Sequence, residues 1–453
     1  MTGVVPGGAW IAPRLDSFLT IVYAFKRGSG WEKKSKQNKA FKMHKAVVGI
    51  ALCLCLESMA VAGESPRFRG PYRDGRFDEQ GLLKTWPENG PTLSWVATGL
   101  GDGYSSPSVA GGKIYIPGMV DETTAGIFIL NLDGVIERSI PVGPETEDTQ
   151  APGPRSTPTV DGDFLYMLSG LGEVYCLHIP SGEKKWSVNI LERFSGENIM
   201  YTLAESLLVD GDRVICTPGG PDAGLAALDK HTGETIWTTK GFSDPASYCA
   251  PIIYTHNGRR LLFTETANYL VCADAEDGTF LWKMEHPTRD GIHAVTPVYM
   301  DGLVYYTGGY EAESGAVRLS EDGSSYEKAW QDNLLDCQHH GVVLHEGHLY
   351  GTSHMRGNHL VCIEMKTGKV MWKSKEVRQG VVEYADGMLY IYEGPSRGIV
   401  HLVKADPEAF QHAGQFRVTE GNGRHWAHPA IANGVLYIRH GDALMAYDIR
   451  DKS

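Results

Sequence analysis

One eleven-residue pattern constrains the fold of this chain more than any other feature. The stretch from Ala227 to Trp237 (ALDKHTGETIW) reads as the end of a strand, a turn at Gly233 and a second strand carrying Trp237. Glycine suits such a turn because it takes positive φ without a Cβ clash. The layout recurs at Cys176 to Trp186, Cys272 to Trp282 and Cys362 to Trp372, with Gly182, Gly278 and Gly368 each four residues before the tryptophan. A fixed pattern at this spacing marks a repeat protein, in which no single unit buries its own apolar face.

The unit around each copy is a first strand, a tight Asp-Gly or Asn-Gly turn, a second strand ending in aromatics, a loop, the strand before the glycine, and the Trp strand. First strands begin at Pro107, Pro158, Leu207, Pro251, Pro297, Val342, Val382 and Pro429, about 46 residues apart. Four strands in that length make a propeller blade. Trp186, Trp237, Trp282, Trp330 and Trp372 end five units, and Arg138 and Phe416 hold that place in two others. The eighth unit stops after three strands, at Leu444 to Asp448. The strand around Trp95 is expected to supply its fourth and so close the ring without a free edge. The expected fold is all-β: one eight-bladed propeller over residues 93–450, preceded by an entry segment at 63–92 that contains Phe68-Arg69-Gly70-Pro71, Trp86-Pro87 and Gly90-Pro91.

The A-x-D-x-x-T-G-x-x-x-W pattern, met at every fixed position by Ala227 to Trp237, resembles the tryptophan-docking motif of quinoprotein-like propellers. That superfamily includes the pyrroloquinoline quinone (PQQ) dehydrogenases and the propeller lipoprotein of the outer-membrane-protein assembly machine. The entry segment is similar to that of an exported bacterial subfamily of PQQ-like propellers. The resemblance covers residues 66 to 450 and implies the fold, not a reaction. A dehydrogenase of the superfamily is expected to carry two adjacent cysteines and a set of Glu, Asn and Asp around Ca²⁺. This chain has no Cys-Cys pair. The expectation is therefore that no cofactor is held, with PQQ and Ca²⁺ as the alternative.

Residues 43–62 read as a secretory signal: Met43-His44-Lys45, an apolar run from Ala46 to Leu56, and Ala60-Val61-Ala62 before Gly63. Residues 1–42 carry a basic run with no packing pattern and read as an over-extended start, with a long, charged, disordered leader as the alternative. The expected location is periplasmic or secreted. Residues 1–62 hold nine Lys/Arg and three Asp/Glu, so without them the formal charge of −13 becomes about −19. That balance disfavours nucleic acid as a partner. Beyond residue 62 no apolar run is long enough for a membrane helix. Cys176, Cys272 and Cys362 share one repeat position and are expected as small buried residues, and Cys216, Cys249 and Cys337 show no metal spacing. The Gly-rich stretch Pro218 to Gly224 lacks the Lys-Ser/Thr of a phosphate loop and reads as a wide turn.

In a propeller, loops entering first strands and loops joining second to third strands gather on one face around the axis. Arg155, Tyr201, Tyr248, Glu265, His293, His340, His354, His428 and His440 all fall in such loops and form the candidate ligand-binding set, with Trp426 beside them. Aromatic rings there suit the faces of a sugar or another small polar ligand, while Arg155 and the carboxylates suit its hydroxyls. No metal site is expected: no pair shows a diagnostic spacing, and His339 and His340, adjacent at a strand entry, are expected to point opposite ways. The expected role is a non-catalytic scaffold for an envelope protein or a small ligand. The alternative is an extracytoplasmic enzyme, either a PQQ-type oxidoreductase of alcohols or sugars or a carbohydrate-acting enzyme.

Overall fold

The computed structural model describes residues 63–146 and 151–452. The expected signal sequence and upstream start, residues 1–62, lie outside the described residues. The described chain is an eight-bladed β-propeller of four-stranded antiparallel blades. Its first strands are Ser108–Ala110, Thr159–Asp161, Leu208–Asp210, Ile252–His256, Val298–Met300, Val343–His345, Gly380–Ala385 and Ala430–Ala432. Each lies within two residues of its expected start. Helix is confined to short segments such as Ile190–Arg193, and no described helix is long and apolar enough to cross a membrane.

Closure follows the expected route. Thr92–Ala97 pairs antiparallel with Ala443–Asp448, setting Trp95 opposite Ala446. That register is the one by which Trp186, Trp237, Trp282, Trp330 and Trp372 face Cys176, Ala227, Cys272, Ala316 and Cys362. A β-bulge in each of these strand pairs turns the indole out of its own sheet and toward the next blade. Trp186 Nε1 donates to Lys230 O at 3.0 Å, Trp330 to Met365 O at 3.0 Å and Trp372 to Asp406 O at 2.8 Å, each on the following blade. The indole also lies on that blade's glycine turn. A Cβ on Gly233, whose φ is +74°, would stand 2.8 Å from the Trp186 ring, so the glycine answers both the turn and the close approach. In the first blade Arg138 occupies this seam instead, its Nη2 donating to Ser181 O at 2.7 Å.

The apolar core is likewise distributed between blades. Tyr166, Cys176 and Trp186 of the second blade pack with Val214, Ala226 and Leu228 of the third, and the pattern repeats around the ring. All six described cysteines are free and buried. Pro218 to Gly224 is a turn closed by a Gly220–Ala223 bridge.

The entry segment does more than lead into the ring. It crosses the axis as a strap. Ser65 bridges Val109 on the first blade, and Pro66 O accepts from Val160 N on the second. Arg73, fully buried, donates to Ser206 O and Leu207 O on the third blade and to Pro251 O on the fourth. Arg69 reaches His340 O and Val342 O on the sixth blade and Val382 O on the seventh. Arg76–Phe77 then runs parallel to Gly380–Ala385. Innermost strands of a propeller have unpaired carbonyls toward the channel, and two guanidinium forks satisfy many of them at once.

Candidate functional site

Above the strap lies an axial cavity of about 340 Å³. Its base is Phe68, the residue before Arg69, with its ring 4.9 Å from that of His428. Around the base runs a ring of equivalent positions, two residues ahead of the first strands: Ser106, Thr157, Ser206, Ala250 and His428. These positions join adjacent blades. Ser106 Oγ donates to His428 O at 2.7 Å, Ser106 N to Thr157 Oγ1 at 3.0 Å, and Thr157 N to Ser206 Oγ at 3.0 Å. Higher on the wall are Tyr104, Tyr201, Tyr248, Tyr310, His339 and Trp426. Tyr248 Oη accepts from Tyr201 N at 3.1 Å, Gln338 Nε2 donates to Tyr310 Oη at 2.6 Å, and Tyr104 and Trp426 lie 5.5 Å apart.

Among the described residues, the charged groups in this lining are Arg155 and Arg424, and no carboxylate is among them. Arg155 is held by Ala151 O at 2.8 Å and by Tyr201 O, and the Arg424 guanidinium lies 5.3 Å from the Trp426 ring. Burial, reinforced by the neighbouring His428 and His354, lowers His339 to about 3, so its imidazole is neutral at pH 7. Burial also lowers His428, though the Glu383 carboxylate opposes it. His428 Nε2 faces His339 O at 2.8 Å, and its Nδ1 faces both Glu383 Oε1 at 3.1 Å and Arg69 Nη1 at 3.3 Å. Burial pushes the Tyr248 hydroxyl up to about 12, so it remains a donor. The result is a largely aromatic, positively biased funnel with few fixed polar groups.

Of the candidate set, Arg155, Tyr201, Tyr248 and His428 line this cavity. His354 stands behind Tyr310, with ring centroids 5.0 Å apart. His440 stacks on His425 at 3.8 Å and is anchored on Glu420 O. His340 is fully buried, and its ring lies 4.4 Å from that of His339. The expectation that these two point opposite ways is therefore corrected. They precede the strand Val343–His345 and do not follow its pleat.

Glu265 and His293 sit together behind the wall, in a fully buried cluster with His286. Glu265 Oε2 is 3.0 Å from His286 Nδ1 and 2.5 Å from His293 Nδ1. Burial alone would raise the Glu265 carboxyl, yet the two imidazoles hold it down to about 2. Burial would lower His286, but the Glu265 carboxylate and the Glu313 carbonyl raise it above its ordinary value. His286 Nε2 donates to Glu313 O at 2.7 Å, so Nδ1 is the atom facing the carboxylate.

Phe68, Tyr104, Tyr310, Gln338, His339 and Arg424 were not among the candidates. A signal for the ring beneath them does exist in the sequence: the position two residues before each first strand is Ser, Thr, Ala or His in six units.

With this geometry in place, comparison with known proteins is informative. A family model described as outer membrane protein assembly factor BamB matches residues 144–374. A curated relative from Kangiella koreensis, named outer membrane protein assembly factor BamB, is 28% identical over 210 residues, covering 46% of this chain and 48% of its own length. The chain spans about half the length of the curated relatives it matches. Among solved structures, BamB from Moraxella catarrhalis superposes with a TM-score of 0.56 at 15% identity, over 79% of this chain and 99% of that one. A quinohemoprotein alcohol dehydrogenase from Comamonas testosteroni does so with a TM-score of 0.63 at 11% identity, over 88% and 82%. At these identities both structures speak to the fold alone.

Proposed function

The chain belongs to the PQQ-like repeat propeller family described as outer membrane protein assembly factor BamB, and from that membership we propose that it is an exported binding scaffold of the cell envelope. The family match over residues 144–374, which takes in the blades forming much of the funnel wall, is the observation that carries this reading. The funnel supplies the physical means. Tyr201, Tyr248, Tyr310 and Trp426 present rigid aromatic area that costs little entropy to order, and Arg155 and Arg424 add charge-assisted donors. An aromatic and acidic segment of an envelope protein suits such a surface, and a small polar or carbohydrate ligand uses the same groups. The signal-like residues 43–62 supply the export route, and a mature N-terminus at Gly63, read by N-terminal sequencing of the exported protein, checks it.

The alternative enzymatic readings meet a chemical obstacle in the lining. A PQQ–Ca²⁺ pair would find two guanidinium groups and stacking rings, but, among the described residues, no lining carboxylate to take a hard cation that prefers six to eight oxygen ligands. The described cysteines are separate buried thiols. The described lining residues do not fit the pair. Glycoside hydrolysis calls for two carboxyl groups across the scissile bond, and the described lining residues include none.

Co-purification from envelope extracts tests the scaffold reading. The full chain is expected to retain a discrete partner that Trp426→Ala and Arg424→Glu both release. Retention unchanged by both variants would place the binding surface elsewhere. Quinone absorbance retained after incubation with PQQ and Ca²⁺, together with dye-linked oxidation of alcohols or sugars, would favour the dehydrogenase instead.

A further inference from the structure

Going beyond the binding role of the funnel, the geometry points to a structural metal site at Glu265, His286 and His293. We propose that these three residues bind one divalent transition-metal ion of the borderline class, with Zn²⁺ as its representative.

Two parts of the fold bring the donors together, a strand of the fourth blade and the connection from that blade to the fifth. Glu265 ends the second strand of the fourth blade, Arg259–Glu265. His286 follows that blade's last strand, Phe280–Glu285, and is fixed by its N–H to Asn268 O at 2.8 Å. His293 lies in the loop leading to the fifth blade, with its N–H held by Ser247 Oγ at 2.8 Å and its carbonyl by Tyr248 N at 2.8 Å. The ligand atoms of the three all lie within 4.8 Å of one another. A first-row ion sits about 2.0–2.2 Å from imidazole nitrogen and carboxylate oxygen, which sets its ligand atoms about 3.0–3.4 Å apart, so the 2.5 Å Glu265–His293 contact opens by up to about 1 Å to admit it.

Glu265 Oε2 and His286 Nδ1 face each other at 3.0 Å, but the other side-chain polar atoms of Glu265 and His293 are without a partner. His293 Nε2 and Glu265 Oε1 are buried without a hydrogen-bond partner, and His293 Nδ1, though close to Glu265 Oε2, lies outside hydrogen-bond geometry. Buried polar atoms left in this condition destabilise the fold, because they give up water and gain no partner. An ion between Nδ1 of both imidazoles and the Glu265 oxygens removes much of that cost, with Oε1 available as a second carboxylate donor. The surroundings have the form of a metal site's outer shell, since His286 Nε2–H is already oriented by the Glu313 carbonyl at 2.7 Å. Two imidazoles and a carboxylate select Zn²⁺, Co²⁺ or Fe²⁺ over Ca²⁺ and Mg²⁺, which prefer all-oxygen cages.

The side chains are 0%, 1% and 0% exposed, so the ion has no open face to solvent and serves structure, not hydrolysis. Its effect would reach the funnel nonetheless. Ile292 and Ala294, on either side of His293, line the cavity, as does Tyr248, which is bonded to the His293 carbonyl. The metal would pin the fourth blade to the entry of the fifth and fix this part of the wall.

The test uses the full chain, stripped with a chelator and titrated with ZnCl₂ alone. One equivalent of zinc per chain should survive gel filtration, as read by plasma mass spectrometry. Co²⁺ in its place should give the visible d–d bands of a low-coordinate nitrogen–oxygen site. Affinity should fall at least about 100-fold in Glu265→Gln and in His293→Gln, whereas His178→Ala, at an exposed histidine, should leave it unchanged. Should the variants fail to fold, the wild-type chain still decides: Zn²⁺ must raise its melting temperature. Absence of retained zinc together with no thermal shift, or equal zinc content in a His286→Gln/His293→Gln double variant, overturns the proposal.

Discussion

Replacing Arg69 with Ala is expected to destabilise the whole ring, although the residue lies outside all eight blades. Its guanidinium, 2% exposed, lies 3.4 Å from the Glu383 carboxylate, which is fully buried. It also spans the carbonyls of His340, Val342, Val382 and Asp74 at 3.2–3.4 Å. Removing one partner of a buried ion pair costs about 3–5 kcal/mol, because the remaining charge is left without compensation. The unpaired carbonyls overlap with that term and do not add in full, so about 4 kcal/mol is the working figure. For a folded unit of this size that corresponds to a fall of about 5 °C in melting temperature. The assay is equilibrium unfolding by guanidinium chloride, followed by tryptophan fluorescence and far-UV circular dichroism. Glu383→Gln in the Arg69→Ala background should recover part of the loss, giving a coupling energy of about 2 kcal/mol. A loss below about 1 kcal/mol, or strictly additive effects, would refute the view that the strap is held at the axis by this pair.

Two further outcomes follow from the same reasoning. Burial pushes the Glu205 carboxyl up to about 7, against the nearby Arg73 charge and the Thr217 N–H at 2.7 Å. Its folded-state pKa is thus raised, so its contribution is full below the ordinary carboxyl range and is lost as pH rises through about 7. Wild-type stability should therefore decline between pH 5 and 8 by up to about 3 kcal/mol more than that of Glu205→Gln; parallel denaturation profiles would contradict this. Trp186→Phe removes the Nε1–H donated to Lys230 O and should cost about 1–2 kcal/mol, while Trp186→Ala also empties the seam over Gly233 and should cost about 3–5 kcal/mol. Equal losses in the two variants, measured by chemical denaturation, would mean the indole is not the seam filler.

What the sequence reveals and what it hides divide along the distance of the contacts. Blade number, strand order and the closing strand at Trp95 follow from a local pattern repeated in register, which a linear reading detects. The Arg138 seam contact is also local to the repeat, and its place was visible even though its chemistry differs from that of an indole. The strap was not visible. Arg69 pairs with residues 271 to 359 positions away, and a lone arginine in a glycine- and proline-rich segment carries no periodic mark of burial. The candidate set was assembled by loop membership, which finds the right face but not the direction of each side chain. Arg155, Tyr201, Tyr248 and His428 line the funnel, while Glu265 and His293 turn behind its wall to meet His286, which opens the same connection that holds His293. Tyr104 and Tyr310 lie on the same face and differ from the chosen tyrosines in nothing that the sequence displays.

Site-specific photocrosslinking in intact cells tests the central claim most directly. A photoreactive residue in place of Tyr310 or Trp426 lies in the funnel, and one in place of Val135, an exposed residue on a blade edge, serves as the reference. The scaffold reading predicts discrete protein adducts from both funnel positions, reduced by Arg424→Glu and absent from position 135. Funnel positions that yield no protein adduct, or the same adducts as position 135, would contradict it.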